Sequence, residues 1–270
     1  MAVIYSMSDI HGDYDAMMDT LSLVDLDSDK ENKLILLGDY IDRGKDSFGV
    51  LNYVKQLEEN YPEQVVVLIG NHEEMFMDWL RLNDEIQWLI QENNFNTVES
   101  FFSKEVFNAM TSEIGIENAS YSKVSAYMAG KIKEHHPELL KWLFNKEQKP
   151  LFYETDRQIY VHAGICEVDE SLWKQATERS EFIWKYPAET GSFYKDIIAG
   201  HISTTEIAND ISCLGKVYWD QESHFFIDGD TRASSIVPLL KFNTLSGEYS
   251  SFNKAMDDSW TEYLITVKKS

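Results

Sequence analysis

Short apolar runs that end abruptly at polar residues are the first pattern along the chain. Residues 33–37 read Lys-Leu-Ile-Leu-Leu, and Gly38 closes this run before Asp39, Asp42 and Arg43. A run of branched aliphatic residues this short is typical of a strand that is covered on both faces of its sheet. Because open α/β sheets bind ligands just beyond the carboxyl ends of their strands, the pattern predicts a functional site here.

The same pattern recurs at four more points. In each case an apolar run leads into polar residues: residues 2–6 into Asp9 and His11, residues 65–69 into Asn71 and His72, residues 159–161 into His162, and residues 197–199 into His201. A single buried histidine is more often a core residue with satisfied hydrogen bonds than a ligand. Five such motifs at five strand ends favour one shared site.

The periodicity between these runs predicts the architecture. A helical pattern follows each of the first two strands, which gives a βαβαβ opening and a largely parallel sheet. Residues 75–149 contain several helical patterns and no strand-like run, so we expect a helical, cap-like insert beside the site. Four later runs are typical of antiparallel strands in a second sheet: residues 216–219, 224–228, 236–242 and 248–252. No linker is visible, and we predict a single domain over residues 1–270.

Composition narrows the classes of partner and compartment. The chain has 24 basic and 46 acidic residues, and its net charge of −22 should repel nucleic acid and anionic membranes. An acidic protein that handles an anionic substrate needs local cations, either metals or arginines. Two cysteines are too few for a disulfide scaffold. With neither a signal-peptide pattern nor an apolar run near the ~20 residues of a membrane span, we expect a cytoplasmic protein.

The polar residues at the strand ends predict a metal centre. The candidate ligands are carboxylate, imidazole and amide groups: Asp9, His11, Asp39, Asn71, His162 and His201. This mixture suits divalent ions such as Mn²⁺, Fe or Zn²⁺, and we expect Mn²⁺ first. Six ligands exceed the needs of one ion, so we predict two divalent metal ions that share Asp39. Such a pair, about 3.5 to 4 Å apart, activates a bridging water and holds phosphoryl oxygens, which predicts hydrolysis of a phosphate ester.

The five motifs resemble, in order and spacing, the signature of the phosphoprotein phosphatase family of metallophosphoesterases, above all its bacterial and phage serine/threonine phosphatase branch. They read Ser8-Asp9-Ile10-His11-Gly12, Gly38-Asp39-Tyr40-Ile41-Asp42-Arg43-Gly44, Gly70-Asn71-His72-Glu73, His162-Ala163-Gly164 and Gly200-His201. The resemblance extends from residue 3 to about residue 242. It implies an α/β, calcineurin-like metallophosphoesterase fold, in which a two-sheet β-sandwich is flanked by helices.

The resemblance also implies a role for each motif residue. The first metal would be held by Asp9, His11 and Asp39, and the second by Asp39, Asn71, His162 and His201. A metal-bridging hydroxide would be the nucleophile, and His72 would be the general acid that protonates the leaving alkoxide. Asp42 would orient the ring of His72, and Arg43 would clamp the phosphate oxygens with its planar fork.

Two departures from the family pattern concern the substrate. Ile69 occupies a position where the family usually carries arginine, and Trp184 is followed by Lys185 rather than by a second arginine. Lys185 remains a candidate substrate-binding residue, but lysine is a point charge and cannot bind phosphate in the bidentate way of arginine. The departures therefore leave the substrate class open.

Three functions are compatible with the sequence. The first is a phosphomonoesterase acting on phosphoserine or phosphothreonine, and also on phosphotyrosine, in proteins or peptides, or on a small phosphate ester. The second is a hydrolase of diadenosine tetraphosphate, because residues 161–165 resemble the corresponding motif of those enzymes. The third is an inactive phospho-binding protein, whose mark would be a lost ligand or a lost general acid. All six ligands and His72 are present.

Overall fold

The computed structural model describes residues 2–82, 86–90 and 94–265. Its strands are β1 (Val3–Met7), β2 (Lys33–Leu36), β3 (Val65–Val67), β4 (Phe152–Glu154), β5 (Gln158–Val161), β6 (Asp196–Ser203), β7 (Tyr218–Trp219), β8 (His224–Asp228), β9 (Leu240–Asn243), β10 (Tyr249–Lys254) and β11 (Trp260–Ile265). Its helices are α1 (Tyr14–Leu21), α2 (Ser47–Asn60), α3 (Asn71–Leu82), α4 (Ile86–Ile90), α5 (Phe95–Ser100), α6 (Lys104–Ile114), α7 (Tyr121–His135), α8 (Pro137–Lys146), α9 (Trp173–Ala176), α10 (Arg179–Trp184), α11 (Thr204–Ala208) and α12 (Thr231–Ser234).

Two mixed sheets form the centre of the part of the chain that the structure describes. The first has the strand order β11-β10-β9-β1-β2-β3, and the second has the order β4-β5-β6-β8-β7. β1, β2 and β3 run parallel, as the βαβαβ opening predicts. β5, β6 and β8 are parallel in the second sheet. The two sheets with their helices confirm the predicted α/β class and the two-sheet architecture.

The prediction that the four C-terminal runs form a sheet of their own is wrong. β7 and β8 join the second sheet, where β8 pairs with β6. In contrast, β9 pairs antiparallel with β1, and β10 continues from β9 in the first sheet. The edge of β1 that faces away from β2 needs backbone hydrogen-bond partners, and β9 supplies them. An apolar run shows that a strand is buried, but it does not show which edge the strand joins.

The described part of residues 75–149 contains helices and no strand, as the periodicity predicts: the helices are α3, which begins before it, and α4 to α8. The role of this block as a cap-like insert stays a prediction. Residues 83–85 and 91–93 lie outside the described residues. Aromatic rings make up much of the insert's own core. The ring of Trp88 lies 4.8 Å from that of Trp79 and 5.3 Å from that of Phe76, measured between centroids. The single domain and the cytoplasmic location stay predictions, and no helix among the described residues is long and apolar enough to cross a membrane.

A buried ionic network stabilises β8 in the second sheet. The Nδ1 atom of His224 lies 3.1 Å from Oδ2 of Asp220, and its Nε2 atom lies 3.0 Å from Oε1 of Glu167. Burial lowers the pKa of His224, but the hydrogen bonds that its ring donates to Asp220 and Glu167 outweigh burial and raise it to about 9. His224 is therefore a protonated, paired residue at neutral pH.

This network predicts a pH dependence of stability. The folded-state pKa of His224, about 9, lies above its ordinary value of 6.5. Its contribution is therefore complete below pH 6.5 and is lost as the pH rises through 9. We expect the loss to be about 3 kcal/mol in the free energy of unfolding, measured by urea denaturation across this range. In His224→Gln, the slope of this segment should fall by the share of His224, while other histidines raised to a pKa of about 9 keep theirs; an unchanged slope would contradict the assignment.

Candidate metal centre

The five polar segments meet at one edge of the sandwich, because four follow the carboxyl end of a parallel strand and the fifth, with His201, lies near that end within β6. β1, β2 and β3 deliver three of these segments, and β5 and β6 deliver the other two. Most of the predicted ligand side chains are almost inaccessible to solvent, and His201 is half-buried. The structure thus brings together all six predicted ligands: Asp9, His11, Asp39, Asn71, His162 and His201.

Asp39 lies at the centre of this cluster. Its Oδ1 atom accepts a hydrogen bond of 3.1 Å from the backbone N–H of His72. Its Oδ2 atom lies 3.4 Å from Nε2 of His162 and 3.9 Å from Nε2 of both His11 and His72. One carboxylate oxygen therefore holds the loop, and the other faces three imidazole nitrogens, which is the arrangement that a bridging ligand needs.

The donor set fits divalent cations. Two groups of potential ligand atoms, each within 4.8 Å of one another, share Asp39: one also contains His11 and His72, and the other contains His162 and His201. Asn71 adds a neutral oxygen to the second group. Its Oδ1 atom lies 3.0 Å from both Nε2 of His162 and Nδ1 of His201. Carboxylate, amide and imidazole donors are those that borderline divalent ions prefer.

Asp9 occupies a different place from the other carboxylate. Both of its oxygens accept hydrogen bonds from the backbone N–H of His201, at 3.2 and 3.0 Å, and Oδ1 lies 3.8 Å from Nε2 of His11. His72 rather than Asp9 completes the compact group around His11. Asp9 therefore joins the loop after β1 to the carboxyl-terminal part of β6 and also lies close to His11, a predicted ligand of the first metal.

The charges in this cluster set the protonation of its histidines. Burial lowers the pKa of His72 and of His162, but the nearby carboxylates together outweigh burial and raise each to about 9: Asp39 in both cases, joined by Asp42 at His72 and by Asp9 at His162. Burial and the charge of His162 lower the pKa of His201 to about 4. Divalent ions compete with protons for such imidazoles, so binding at His162 would release a proton.

Glu73 belongs to the motif Gly70-Asn71-His72-Glu73, but the sequence alone does not indicate its role. Its buried carboxylate accepts three backbone N–H bonds: Oε2 from Asp39 and Gly70, both 2.9 Å, and Oε1 from Tyr40 at 2.8 Å. Burial and the charge of Asp39 raise its pKa to about 7, against the effect of the N–H donors. Glu73 thus ties the loop after β2 to the start of α3.

Asp42 and His72, which are predicted to act together as the general acid, are in hydrogen-bond contact. The Nδ1 atom of His72 lies 2.7 Å from Oδ2 of Asp42, so the Nε2 atom is left facing the metal cluster. The same Oδ2 accepts a bond of 3.0 Å from Nε1 of Trp88, and Oδ1 accepts one of 2.7 Å from Oγ1 of Thr97. Trp88 and Thr97 belong to the helical insert, and their side chains were not anticipated from the sequence.

Arg43 reaches the cluster from the same loop. Its Nη1 atom lies 3.0 Å from Nε2 of His11, and its Nη2 atom lies 3.5 Å from Nε2 of His72. A groove of about 350 Å³ opens beside it. Among the described residues that line this groove, Arg43 is the only arginine or lysine; the others are Tyr186, His201, Ile202, Ser203, Glu206, Asp228 and Asp230.

Lys185 and Ile69, the two departures from the family pattern, are not among the residues that line this groove. The ammonium group of Lys185 donates to the backbone carbonyl of Ile165 and pairs with Glu189 at 2.8 Å. Ile69 is buried in the core. Substrate binding by Lys185 therefore stays a prediction. Among the described residues that line the groove, Arg43 is the one basic side chain.

Comparison with known proteins agrees with this geometry. The model of the calcineurin-like phosphoesterase family matches residues 2–222. The chain is 39% identical over 70 residues to a symmetrical bis(5'-nucleosyl)-tetraphosphatase of Nitrosospira multiformis, which covers 26% of this chain and 24% of that protein. It is 40% identical over 73 residues to the serine/threonine-protein phosphatase 2B catalytic subunit A2 of Saccharomyces cerevisiae, covering 27% and 12%.

These matches therefore span less than two thirds of either relative. Among solved structures, a cold-active protein tyrosine phosphatase superposes with a TM-score of 0.57 at 18% identity, covering 96% of this chain and 78% of that chain. This likeness supports the fold, and the family model supports the metal-dependent chemistry.

The shared position of Asp39 predicts the effect of metal on stability. Mn²⁺ at ~100 times its dissociation constant should stabilise the wild-type protein by ~2.7 kcal/mol, visible as a rise in melting temperature. Asp39→Asn should lose most of this rise because both ligand groups contain that carboxylate. Asp42→Asn is the matched control, since Asp42 binds His72 rather than the predicted metals, and it should keep the rise. Equal shifts in the two variants would contradict the bridging role.

The three bonds to Glu73 predict that it stabilises the site. Glu73→Gln keeps the shape of the side chain but turns one acceptor into a donor that faces a backbone N–H. We expect a loss of about 2 kcal/mol in the free energy of unfolding, together with weaker Mn²⁺ binding by calorimetry. The adjacent Glu74→Gln is the control: Glu74 forms a partly exposed pair with Arg179, and its loss should cost under about 1 kcal/mol. Similar losses for both variants would be evidence against this role.

Proposed function

The chain belongs to the calcineurin-like phosphoesterase family and is a metal-dependent phosphoric ester hydrolase, and we propose that it removes phosphate from phosphoserine and phosphothreonine, and also from phosphotyrosine, in proteins or peptides. The observation that carries this choice of substrate is the charge of the groove beside the metal cluster. One arginine, Arg43, lines it together with the carboxylates of Glu206 and Asp230 and with Asp228, whose pKa is raised well above its ordinary value by burial and by the charge of Asp9. A single phosphate in a neutral or basic peptide suits this groove better than a chain of phosphates does.

The proposed cofactors are two divalent metal ions, with Mn²⁺ as the first choice. Asp9, His11 and Asp39 would hold one ion, and Asp39, Asn71, His162 and His201 would hold the other. When bound, such a pair supplies an activated water and neutralises the phosphate oxygens. The remaining steps rest on side chains of the chain itself.

Arg43 orients the phosphate in this proposal. Its guanidinium lies beside His11 and His72, at the mouth of the cluster, so it can bind two phosphate oxygens in bidentate fashion. His72 then donates its Nε2 proton to the leaving oxygen of the serine or threonine. Asp42 binds the Nδ1 side of the ring and holds the Nε2–H in the required direction.

The second candidate is hydrolysis of a dinucleoside polyphosphate such as diadenosine tetraphosphate. It is supported by the similarity to the symmetrical bis(5'-nucleosyl)-tetraphosphatase of Nitrosospira multiformis. The groove weighs against it, because a tetraphosphate would meet Glu206 and Asp230 with few cations to offset its charge. Arg179, another arginine of the chain, is paired with Glu74 at 2.9 Å and does not line the groove.

The substrate class is tested by comparing three substrates. Rates are measured on a phosphothreonine peptide, p-nitrophenyl phosphate and diadenosine tetraphosphate, with added Mn²⁺ and with a chelator. We expect Mn²⁺-dependent turnover of the peptide, lost in chelator. His72→Asn should reduce peptide turnover by ~10²- to 10⁴-fold, because the leaving alkoxide loses its proton donor.

His135→Asn provides the control for this substitution, since His135 lies at the exposed end of α7 in the insert. It should keep the wild-type rate on all three substrates. Cleavage of the dinucleotide alone would move the substrate class to the second candidate. If no substrate is cleaved by the metal-loaded protein, the assignment as an active hydrolase is wrong.

A further inference from the structure

Two side chains of the helical insert complete the surroundings of Asp42. The Asp42 carboxylate is fully buried and receives three hydrogen bonds. One comes from His72, the proposed general acid. The other two come from Trp88 on α4 and Thr97 on α5. The insert thus supplies two of the three hydrogen-bond donors to Asp42, which lies in the loop after β2.

The two donors are themselves held in place. The side chain of Trp88 is 2% exposed, and its ring packs among the rings of Phe76 and Trp79. Thr97 is 1% exposed, and its Oγ1 atom lies 3.2 Å from Oγ of Ser47. Because Thr97 donates its proton to Asp42, Ser47 is the donor in that contact.

Ser47 also binds the backbone of Asp42. Its Oγ atom accepts a bond of 3.0 Å from the N–H of Asp42. Asp42 has a φ of 71°, in the left-handed region that non-glycine residues seldom adopt. Both the backbone and the carboxylate of Asp42 therefore depend on contacts that reach it through Ser47, Thr97 and Trp88.

We propose that Trp88 and Thr97 are positioning residues for the general acid: they fix both oxygens of Asp42, and Asp42 in turn keeps the Nε2–H of His72 directed at the leaving oxygen. This inference rests on the proposed function. It assigns the insert a part in leaving-group protonation, which differs from the cap over the substrate that the sequence suggests. Neither side chain touches the substrate in this role.

The role has a signature that general destabilisation would not produce. A substrate with a basic leaving group, such as phenyl phosphate, needs a proton at the leaving oxygen, because phenol has a pKa of ~10 like that of tyrosine. A substrate with a far more acidic leaving group, such as 2,4-dinitrophenyl phosphate, does not. Misplacing His72 therefore slows the first substrate and spares the second.

The test compares kcat/KM for these two aryl phosphates in Mn²⁺-loaded Trp88→Phe and Thr97→Val. Both substitutions remove the donor. Thr97→Val nearly preserves the side-chain volume, whereas Trp88→Phe also removes part of the indole ring. We expect ~10- to 100-fold loss on phenyl phosphate and less than ~3-fold loss on 2,4-dinitrophenyl phosphate. Thr97→Ser, which keeps the hydroxyl, should restore the wild-type ratio.

Trp79→Phe is the matched control. It removes an indole N–H from the same aromatic core, but that N–H donates to Oγ of Ser125 at 2.8 Å rather than to Asp42. It should leave the ratio of the two rates at the wild-type value. Equal losses on both substrates in Trp88→Phe and Thr97→Val, or the same change in Trp79→Phe, would overturn the positioning role.

A second readout separates this inference from the proposed function. In the metal-free, ¹⁵N-histidine-labelled protein, the Nδ1–H signal of His72 is identified by its absence in His72→Asn. We expect this signal to persist in wild type and Trp79→Phe, and to shift or broaden by exchange in Thr97→Val and Trp88→Phe. An unchanged signal in both would overturn the inference. Failure of the wild-type protein to hydrolyse any phosphate ester would instead overturn the proposed function, and the signal would still test the positioning.

Discussion

The centre of this protein depends on one buried carboxylate that is not among its predicted metal ligands. Glu73 binds the backbone N–H groups of Asp39, Tyr40 and Gly70, and so joins the loops after β2 and β3. With these loops joined, Asp39 faces the imidazoles, and Asn71 and His72 start α3 beside it. A carboxylate that satisfies three buried N–H groups replaces the water that these loops would otherwise need.

The loops are packed so closely that glycine is required where they meet. A Cβ atom on Gly70 would lie 2.1 Å from Oδ1 of Asp39, and one on Gly200 would lie 2.1 Å from Oδ2 of Asp9. Backbone strain is concentrated in the same place. Six residues of the site have a positive φ, between 49° and 71°: Asp9, His11, Asp39, Asp42, Arg43 and His201. Each such conformation costs on the order of 1 kcal/mol or more, so the surrounding contacts must hold them.

The sequence was most informative where chemistry follows directly from strand ends. The ligands predicted from five short motifs lie together because the carboxyl ends of parallel strands share an edge, and that rule is local enough to apply without a structure. Trp88 and Thr97 could not be found in this way. They lie 46 and 55 residues from Asp42 along the chain, and in a helical block they are indistinguishable from ordinary core residues. The role of the Trp88 N–H becomes visible only when its hydrogen-bond acceptor, Asp42, is known.

By itself, the sequence determined the α/β class, the five site loops and the helical nature of the insert, because hydrophobic period and glycine placement act over a few residues. Only the tertiary structure decided which sheet received β9 and β10, how the insert donors reach Asp42, and where Lys185 points. These outcomes depend on pairing between residues far apart in the chain, where many partners satisfy the same local pattern. The choice among them is made by the packing of the whole fold.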